Sequence, residues 1–312
     1  MSGQRLVAVA ADGLLAQMNQ AGVLEVADVH LARTLGRLGG ETDQEVLLAV
    51  GLTSRALRMG SVCLPLDALM TPVLVDSASG EPIAVDVDWP DPVRWRGKIA
   101  ESVLVQTGVA TSDLQTPLRL VDDALYLARP WAEEEVVATG WVRRLRATPP
   151  DVDEDRLRAS LDRMFASRPS EEQRRAVETA AHGWTTVVAG GPGTGKTSTL
   201  AALLVALVEQ PRPAGTALRV GLAAPTGKAA ARMTESLSMV AAERPDLQLP
   251  KAGTIFSLLA SRGLTGGFGY GPANPLPLDV VVIDEVSMVP LSQMSALVAA
   301  LPDQCRLVLL GD

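Results

Sequence analysis

Cysteine and histidine are nearly absent from this chain of 312 residues: it has Cys63 and Cys305, His30 and His182, each far in sequence from its like. Neither pair has a metal-ligand spacing, which argues against a structural zinc site and against a disulfide framework. A nucleophile–histidine–acid triad would have to rest on one isolated imidazole. Aromatic residues make up 3% of the chain against 47% hydrophobic residues, so its core must be aliphatic. No apolar run reaches the roughly 18 residues of a membrane span. The opening MSGQRLVAVAADGLLAQM also lacks the cationic segment, apolar stretch and cleavage site of a secretory leader. These absences lead to the expectation of a cytoplasmic protein with no membrane partner. Lysine is scarce as well, since only Lys98, Lys196, Lys228 and Lys251 are found among 28 cationic residues. Where a chain otherwise uses arginine, a retained ammonium can mark a place where a compact point charge matters.

Acidic residues prevail, with a net charge of −8 and a pI near 5.0. Residues 1–150 hold 13 Lys and Arg against 19 Asp and Glu, and residues 151–312 hold 15 against 17. Neither half is a basic nucleic-acid module, although a local phosphate-binding groove is compatible with this balance. The length suits about two domains. In the first half, residues 31–52 predict two amphipathic helices around Gly39-Gly40, and residues 54–69 continue as helix, turn and strand. DWPDP at 88–92 reads as a turn, and 118–131 as a hairpin about Asp122-Asp123. This half is expected to be mostly helical. ATPPDVDED at 147–155 has the composition of a linker, which sets the expected domains at 1–150 and 151–312.

Beyond the linker, Ser170 followed by Gln173 is a capping-box signal for a helix over 171–181. Apolar strands are predicted at 185–189, 219–224, 280–283 and 306–310, with helices at 197–209, 228–240, 255–260 and 291–300 between them. Short apolar strands alternating with helices specify a parallel sheet covered on both faces, so the second half is α/β.

Gly190-Gly191-Pro192-Gly193-Thr194-Gly195-Lys196-Thr197 fits the pattern G-x-x-x-x-G-K-[ST], with a predicted strand before it and a helix after it. Glycines allow backbone N–H groups to turn inward around a phosphate, and the helix N-terminus adds its positive end. Lys196 can reach the β- and γ-phosphates, and the Thr197 hydroxyl can ligate Mg²⁺, with Ser198 next along as a further nucleotide contact. The chain is therefore expected to bind ATP with Mg²⁺ through a P-loop. Asp284-Glu285 closes the strand 280–283, so both carboxylates leave the sheet at its carboxyl end. There Asp284 can hold the metal, and Glu285 can polarise water for attack on a γ-phosphate.

Five segments together resemble the superfamily 1 DNA helicases in order and spacing: QRRAV from Gln173, GGPGTGKT, APTGKAAARM at 224–233, DEVSM at 284–288 and LGD at 310–312. APTGKAAARM and DEVSM are similar to the RecD family, the alpha chain of exodeoxyribonuclease V. So are HLARTLGRLGG, SRALRMGSVCLPL and ALYLARPW in the first half, so the resemblance runs over nearly the whole sequence. It implies a RecA-like P-loop NTPase lobe preceded by a docking domain that binds a RecC-like chain. The implied assembly is a heterotrimer with RecB-like and RecC-like subunits on DNA ends. The implied activity is ATP-dependent 5′–3′ translocation on single-stranded DNA and unwinding, in DNA repair and recombination.

Carried onto this chain, the resemblance implies that Gln173 reads the adenine edge and that Lys196, Asp284 and Glu285 serve ATP hydrolysis. It also implies that Thr226, Gly227, Lys228 and Thr254 contact the DNA backbone. Phe256 departs from the family's Thr-Ile-His, and two readings of it stand, stacking on a base or packing in the core. The glycine-rich stretch 263–275 with Phe268 and Tyr270 is either a DNA-facing loop or a plain connection. Family members continue past the Gly-Asp of this third motif to a coupling glutamine and a second lobe. The expectation is accordingly an incomplete lobe, truncated at Asp312, with weak or no turnover by itself. The alternative is a short, non-catalytic ATP-binding assembly subunit.

Overall fold

The computed structural model describes residues 8, 12–67, 89–109, 116–166, 170–191, 193–214, 216–243, 249–263 and 266–312. The chain divides into two compact units between Glu133 and Glu134. The compact units therefore divide about 17 residues before the boundary expected near residue 150. The division falls inside a helix, α5 (Ala128–Arg146), rather than in the proline-rich stretch.

The first unit begins with α1 (Gly13–Gln20), α2 (Val26–Gly39) and α3 (Gln44–Arg58). The break between α2 and α3 is the expected one. Gly40 adopts a left-handed cap at φ 74°, and Asp43 accepts the Glu45 N–H to start the next helix. Asp28, 1% exposed, joins the two helices: it accepts the Glu25 N–H at 2.9 Å, the Ser54 hydroxyl at 2.8 Å and Arg58 Nη2 at 3.0 Å. This unit also holds α4 (Pro92–Glu101) and a four-stranded sheet of β1 (Leu64–Pro65), β2 (Val105–Thr107), β3 (Leu118–Val121) and β4 (Ala124–Leu127), in the order β1-β4-β3-β2. It is thus a helical layer with a small sheet, more mixed than the composition suggested. β3 and β4 form the expected hairpin, with Asp122 and Asp123 both at positive φ, as a tight two-residue turn requires. Met18, Leu24, Leu48, Trp95, Ile99, Leu118 and Leu125 fill its core.

The second unit carries the end of α5, then α6 (Glu154–Met164), α7 (Glu171–His182), β5 (Thr185–Ala189), α8 (Lys196–Val208), β6 (Val220–Ala224) and α9 (Gly227–Glu243). The series continues with β7 (Gly253–Thr254), α10 (Ile255–Leu258), β8 (Val280–Ile283), α11 (Leu291–Ala300) and β9 (Arg306–Gly311). The five strands are parallel throughout, in the order β5-β9-β8-β6-β7. Alternation along the strands divides the core in two. Val220, Leu222, Val280, Val282, Val308 and Leu310 pack under α6 to α9. Ala223, Val281, Ile283, Leu307 and Leu309 pack with α10, α11 and part of α5. The P-loop strand β5 and the acid-bearing strand β8 are separated by β9 alone. At about 4.8 Å per strand, their carboxyl ends lie roughly 10 Å apart.

Candidate nucleotide and nucleic-acid site

Apart from Gln173 on α7, the motifs expected to carry chemistry leave the second unit's sheet at the carboxyl ends of its strands. The loop after β5 leads into α8, whose first residue is Lys196 and whose cap is Gly195. Gly193 at φ 79° and Gly195 at φ 84° take a conformation that side-chain-bearing residues rarely adopt, which bends the loop before the helix. Pro192 lies outside the described residues. The Gly190 N–H donates to Gly311 O at 3.1 Å, so β9 anchors the loop's entry. The Thr194 hydroxyl donates to Gly191 O at 2.9 Å. Lys196 Nζ donates to Gly190 O and, at 3.1 Å, to Gly191 O, which holds the ammonium inside the curl of the loop. Thr197 is half-buried and Ser198 exposed in the first turn of α8.

Gln173 connects a preceding helix to this loop. Its N–H donates to the Ser170 hydroxyl at 3.3 Å, one leg of the expected capping box. The return leg is replaced: the side-chain Nε2 donates to Thr194 O at 2.9 Å. A capping signal thereby becomes a contact between α7 and the phosphate loop.

Asp284 is half-buried and Glu285 exposed at the end of β8. Glu285 has φ 54°, a left-handed conformation that costs a non-glycine residue roughly 1–2 kcal/mol. Its N–H donates to Asp284 Oδ1 at 2.9 Å, so the strained turn orients the first carboxylate. Asp312, which in the sequence only closes the LGD motif, lies beside the loop. A β-carbon on Gly191 would lie 3.7 Å from Asp312 Oδ1, which brings a third carboxylate to the same edge.

Thr226 and Thr254 sit at the ends of the neighbouring strands β6 and β7. Thr226 Oγ1 accepts the Ala229 N–H at 3.2 Å and Thr254 Oγ1 accepts the Ser257 N–H at 3.1 Å, so each caps a helix. Neither hydroxyl hydrogen has an acceptor among the described residues. Gly227 and Lys228 are exposed, and Lys228 makes no ion pair or side-chain hydrogen bond among the described residues. Phe256 is 45% exposed and stacks on Phe268 with centroids 6.0 Å apart. It takes an intermediate position between the two readings of the sequence, packed on one ring face and open elsewhere.

The opposite end of the sheet holds a residue that no sequence signal singled out. Arg144, 3% exposed, donates to Thr185 Oγ1 at 2.9 Å, Pro302 O at 3.0 Å, Trp184 O at 2.7 Å and Cys305 O. Beside it, burial pushes the Cys305 thiol up to about 12, so this cysteine is no nucleophile at neutral pH. Cys63 and Cys305 are free thiols. Among the described residues there is no cluster of three or more metal-ligating side chains, and no helix is long and apolar enough to cross a membrane.

Two family models match the chain. Residues 20–126 match the N-terminal domain of RecBCD enzyme subunit RecD, and residues 173–312 match an AAA domain. The curated RecBCD enzyme subunit RecD of Mycobacterium tuberculosis is 40% identical over 98% of this chain and 50% of its own length. That of Mycolicibacterium smegmatis is 42% identical over 93% of this chain and 50% of its own. The ATP-dependent RecD2 DNA helicase of Deinococcus radiodurans is 31% identical over 70% of this chain and 28% of its own. The chain spans about half the length of the RecD relatives it matches, and the two models fall one on each structural unit. With the P-loop lobe in the second unit and the RecD N-terminal domain in the first, the chain belongs to the RecD family.

Proposed function

We propose that this chain supplies the nucleotide-binding and first DNA-gripping surfaces of a RecBCD-type helicase, working in the cytosol with RecB-like and RecC-like chains on DNA ends in repair and recombination. The observation that carries the reading is the shared edge. The phosphate loop, the Asp284-Glu285 pair, Thr226–Lys228 and Thr254 all lie at the carboxyl ends of parallel strands. The names and identities of the relatives support it.

The loop fits a polyphosphate. Its glycines and the first turn of α8 present N–H groups, and Lys196 is held among carbonyls that a phosphate would outcompete for its charge. Thr197 and Asp284 would hold Mg²⁺. Bound Mg-ATP supplies a phosphoanhydride whose cleavage releases the free energy for movement. Gln173 would offer its amide to the base, exchanging its bond to Thr194 O. Glu285, exposed at the strand's end, would orient and deprotonate a water, while Lys196 offsets charge at the β- and γ-phosphate positions. Thr226 and Thr254 would donate their hydroxyl hydrogens to backbone phosphates, and Lys228 would add a point charge. The first unit would serve as the docking surface for the RecC-like chain.

Single-stranded DNA binding tests this reading. Fluorescence anisotropy with a labelled oligonucleotide at several salt concentrations should show weak, strongly salt-dependent binding. Lys228→Ala should lower the affinity and reduce the log–log salt slope by about 0.7, the share of one phosphate contact on a single strand. An unchanged slope and affinity in the variant would remove Lys228 from the DNA surface.

A further inference from the structure

Phenylalanine occurs three times in this chain, and two of the three rings, Phe256 and Phe268, meet at one edge of the second unit's sheet. Phe256 belongs to α10, the short helix that follows the edge strand β7. The helix turns Ile255 and Leu259 into the core, at 1% and 0% exposed, and leaves Phe256 nearly half in solvent. A single exposed aromatic is ordinary. What sets this one apart is the structure built beneath it.

The chain after α10 folds back on the helix through its own backbone. The Ser261 N–H donates to Phe256 O at 2.9 Å, the Gly269 N–H to Leu259 O at 3.0 Å and the Arg262 N–H to Gly267 O at 2.9 Å. Ala260 takes φ 51° in the reversal, and Ser261 pairs with Phe268 in an isolated antiparallel bridge. Phe268 and Tyr270 then pack on the core that holds Val281 and Leu307. This sets the Phe268 ring against Phe256 with the planes 27° apart, within the range of stacked aromatic pairs. A ring backed in this way has little freedom left to lose when a second ring settles on its other face.

The surroundings select the kind of ring. Thr254 lies just before α10, and its partner across the sheet is Ala224, close before Thr226 and Lys228. Hydroxyl donors, an ammonium and a flat uncharged ring therefore leave two neighbouring strands together. A single strand of nucleic acid matches that combination, with its phosphates on the donors and a base on the ring.

We propose that Phe256 is a stacking platform for one base of single-stranded DNA, with Phe268 as its buttress. The inference rests on the reading of this edge as the DNA-gripping surface, and adds a base contact that the threonines and Lys228 cannot make. Every base has a π-face and stacking releases no counterions, so the platform adds affinity without sequence preference and without salt dependence.

The test compares two labelled strands of equal length and charge, an oligothymidylate and its abasic sugar–phosphate counterpart, by fluorescence anisotropy with the full 312-residue chain at low salt. The wild type should bind the base-bearing strand at least about fivefold more tightly, the lower end of what one base–aromatic stack supplies. Phe256→Leu keeps an apolar side chain of similar size without a π-face. It should abolish that preference while the abasic affinity, the salt slope and the thermal unfolding midpoint stay as they are. Phe256→Trp should retain the preference. Equal binding of the two strands by the wild type would overturn the proposal, and so would a preference that survives in Phe256→Leu. If Lys228→Ala still lowers the salt slope in either case, the edge remains a DNA surface and the base contact alone is wrong. Failure of both strands to bind would overturn the platform together with the reading beneath it.

Discussion

At the amino ends of the five parallel strands, charged side chains are bonded to the protein itself, whereas at the carboxyl ends of the same strands they face solvent. Arg144 donates to four acceptors there, and Arg306 donates to Ala181 O while lying over the Trp184 ring at 5.5 Å. Burial of Asp279 at that end pushes its carboxyl up, but the side-chain and backbone hydrogen bonds from Arg219, with the charges of Arg219 and Arg212, together hold it below the ordinary carboxylate range. At the other end Glu285 is strained, Lys228 is unpaired among the described residues, and Lys196 holds only loop carbonyls. One end is bonded mainly within the protein and the other keeps spare bonding capacity. The division teaches that this lobe separates what holds it together from what it can bind, as open α/β sheets generally do.

The sharpest way to break the comparison is to remove the staple. Arg144→Met should destabilise the fold by roughly 2–4 kcal/mol, because Thr185 Oγ1 and Cys305 O lose their donor at about 1–3 kcal/mol each when unsatisfied, while Trp184 O keeps the Leu307 N–H and Pro302 O the Cys305 N–H. Chemical denaturation would show it as a large drop in midpoint. A loss below about 1 kcal/mol would mean that water replaces the guanidinium and that the amino end does not depend on its internal bonds.

Strain at the carboxyl end gives a smaller effect of opposite sign. Glu285→Gly should leave stability unchanged or raise it by up to about 1 kcal/mol, since glycine adopts φ 54° without the steric cost. The same change should abolish ATP turnover measured in the assembled complex. A clear loss of stability would show that Glu285 is a structural residue.

The smallest effect is expected at His182, in the exposed last turn of α7. Nε2 of its ring lies 2.7 Å from Glu154 Oε1 and Nδ1 lies 2.8 Å from Glu178 O, and the Glu154 bond chiefly raises its pKa. A histidine raised on folding contributes stability that is complete below its unfolded value near 6.5, and loses it as pH rises through the higher folded value. Thermal midpoints of the wild type and His182→Gln should therefore differ most at pH 5–6 and converge at alkaline pH. The pair is exposed, so the difference should be slight. A gap that widens with rising pH would contradict the assignment.

The two ends also differ in how far they could be read from sequence. The carboxyl end is written locally: a strand, a glycine loop and Lys196-Thr197, then a strand and two acids, all within short windows that periodicity and motif spacing reveal. Strand positions 185–189 and 280–283 and the helix at 291–300 fall where the alternation placed them. The amino end depends on partners distant in sequence, since Arg144 meets Pro302 and Cys305 some 160 residues later. In RRLRATPP it looks like one more surface cation. Helices α5 and α6 are hard to read locally for related reasons. α5 includes Pro130 in its first turn and Gly140 within it, where the latter lets the helix approach α11: a β-carbon there would meet Val298 Cγ1 at 2.3 Å. In α6 only Leu157, Leu161 and Met164 mark a buried stripe among charges, although Asp153 caps its start through the Arg156 N–H. DWPDP looked like a turn, yet Asp91 is the cap and Pro92 the first residue of α4, a position that suits proline because no N–H is needed. The return leg of the capping box at Gln173 was lost to a tertiary partner, Thr194 O, which a local pattern cannot anticipate.

The central claim is that the carboxyl end binds a nucleoside triphosphate through Lys196, and calorimetric titration with Mg-ATP tests it most directly. Lys196→Ala should weaken binding by tenfold or more, the equivalent of losing a charge-assisted contact of about 1.5–3 kcal/mol. The thermal midpoint should stay near that of the wild type, because the Lys196 ammonium meets only loop carbonyls. Equal Mg-ATP affinity in the two proteins would contradict the account.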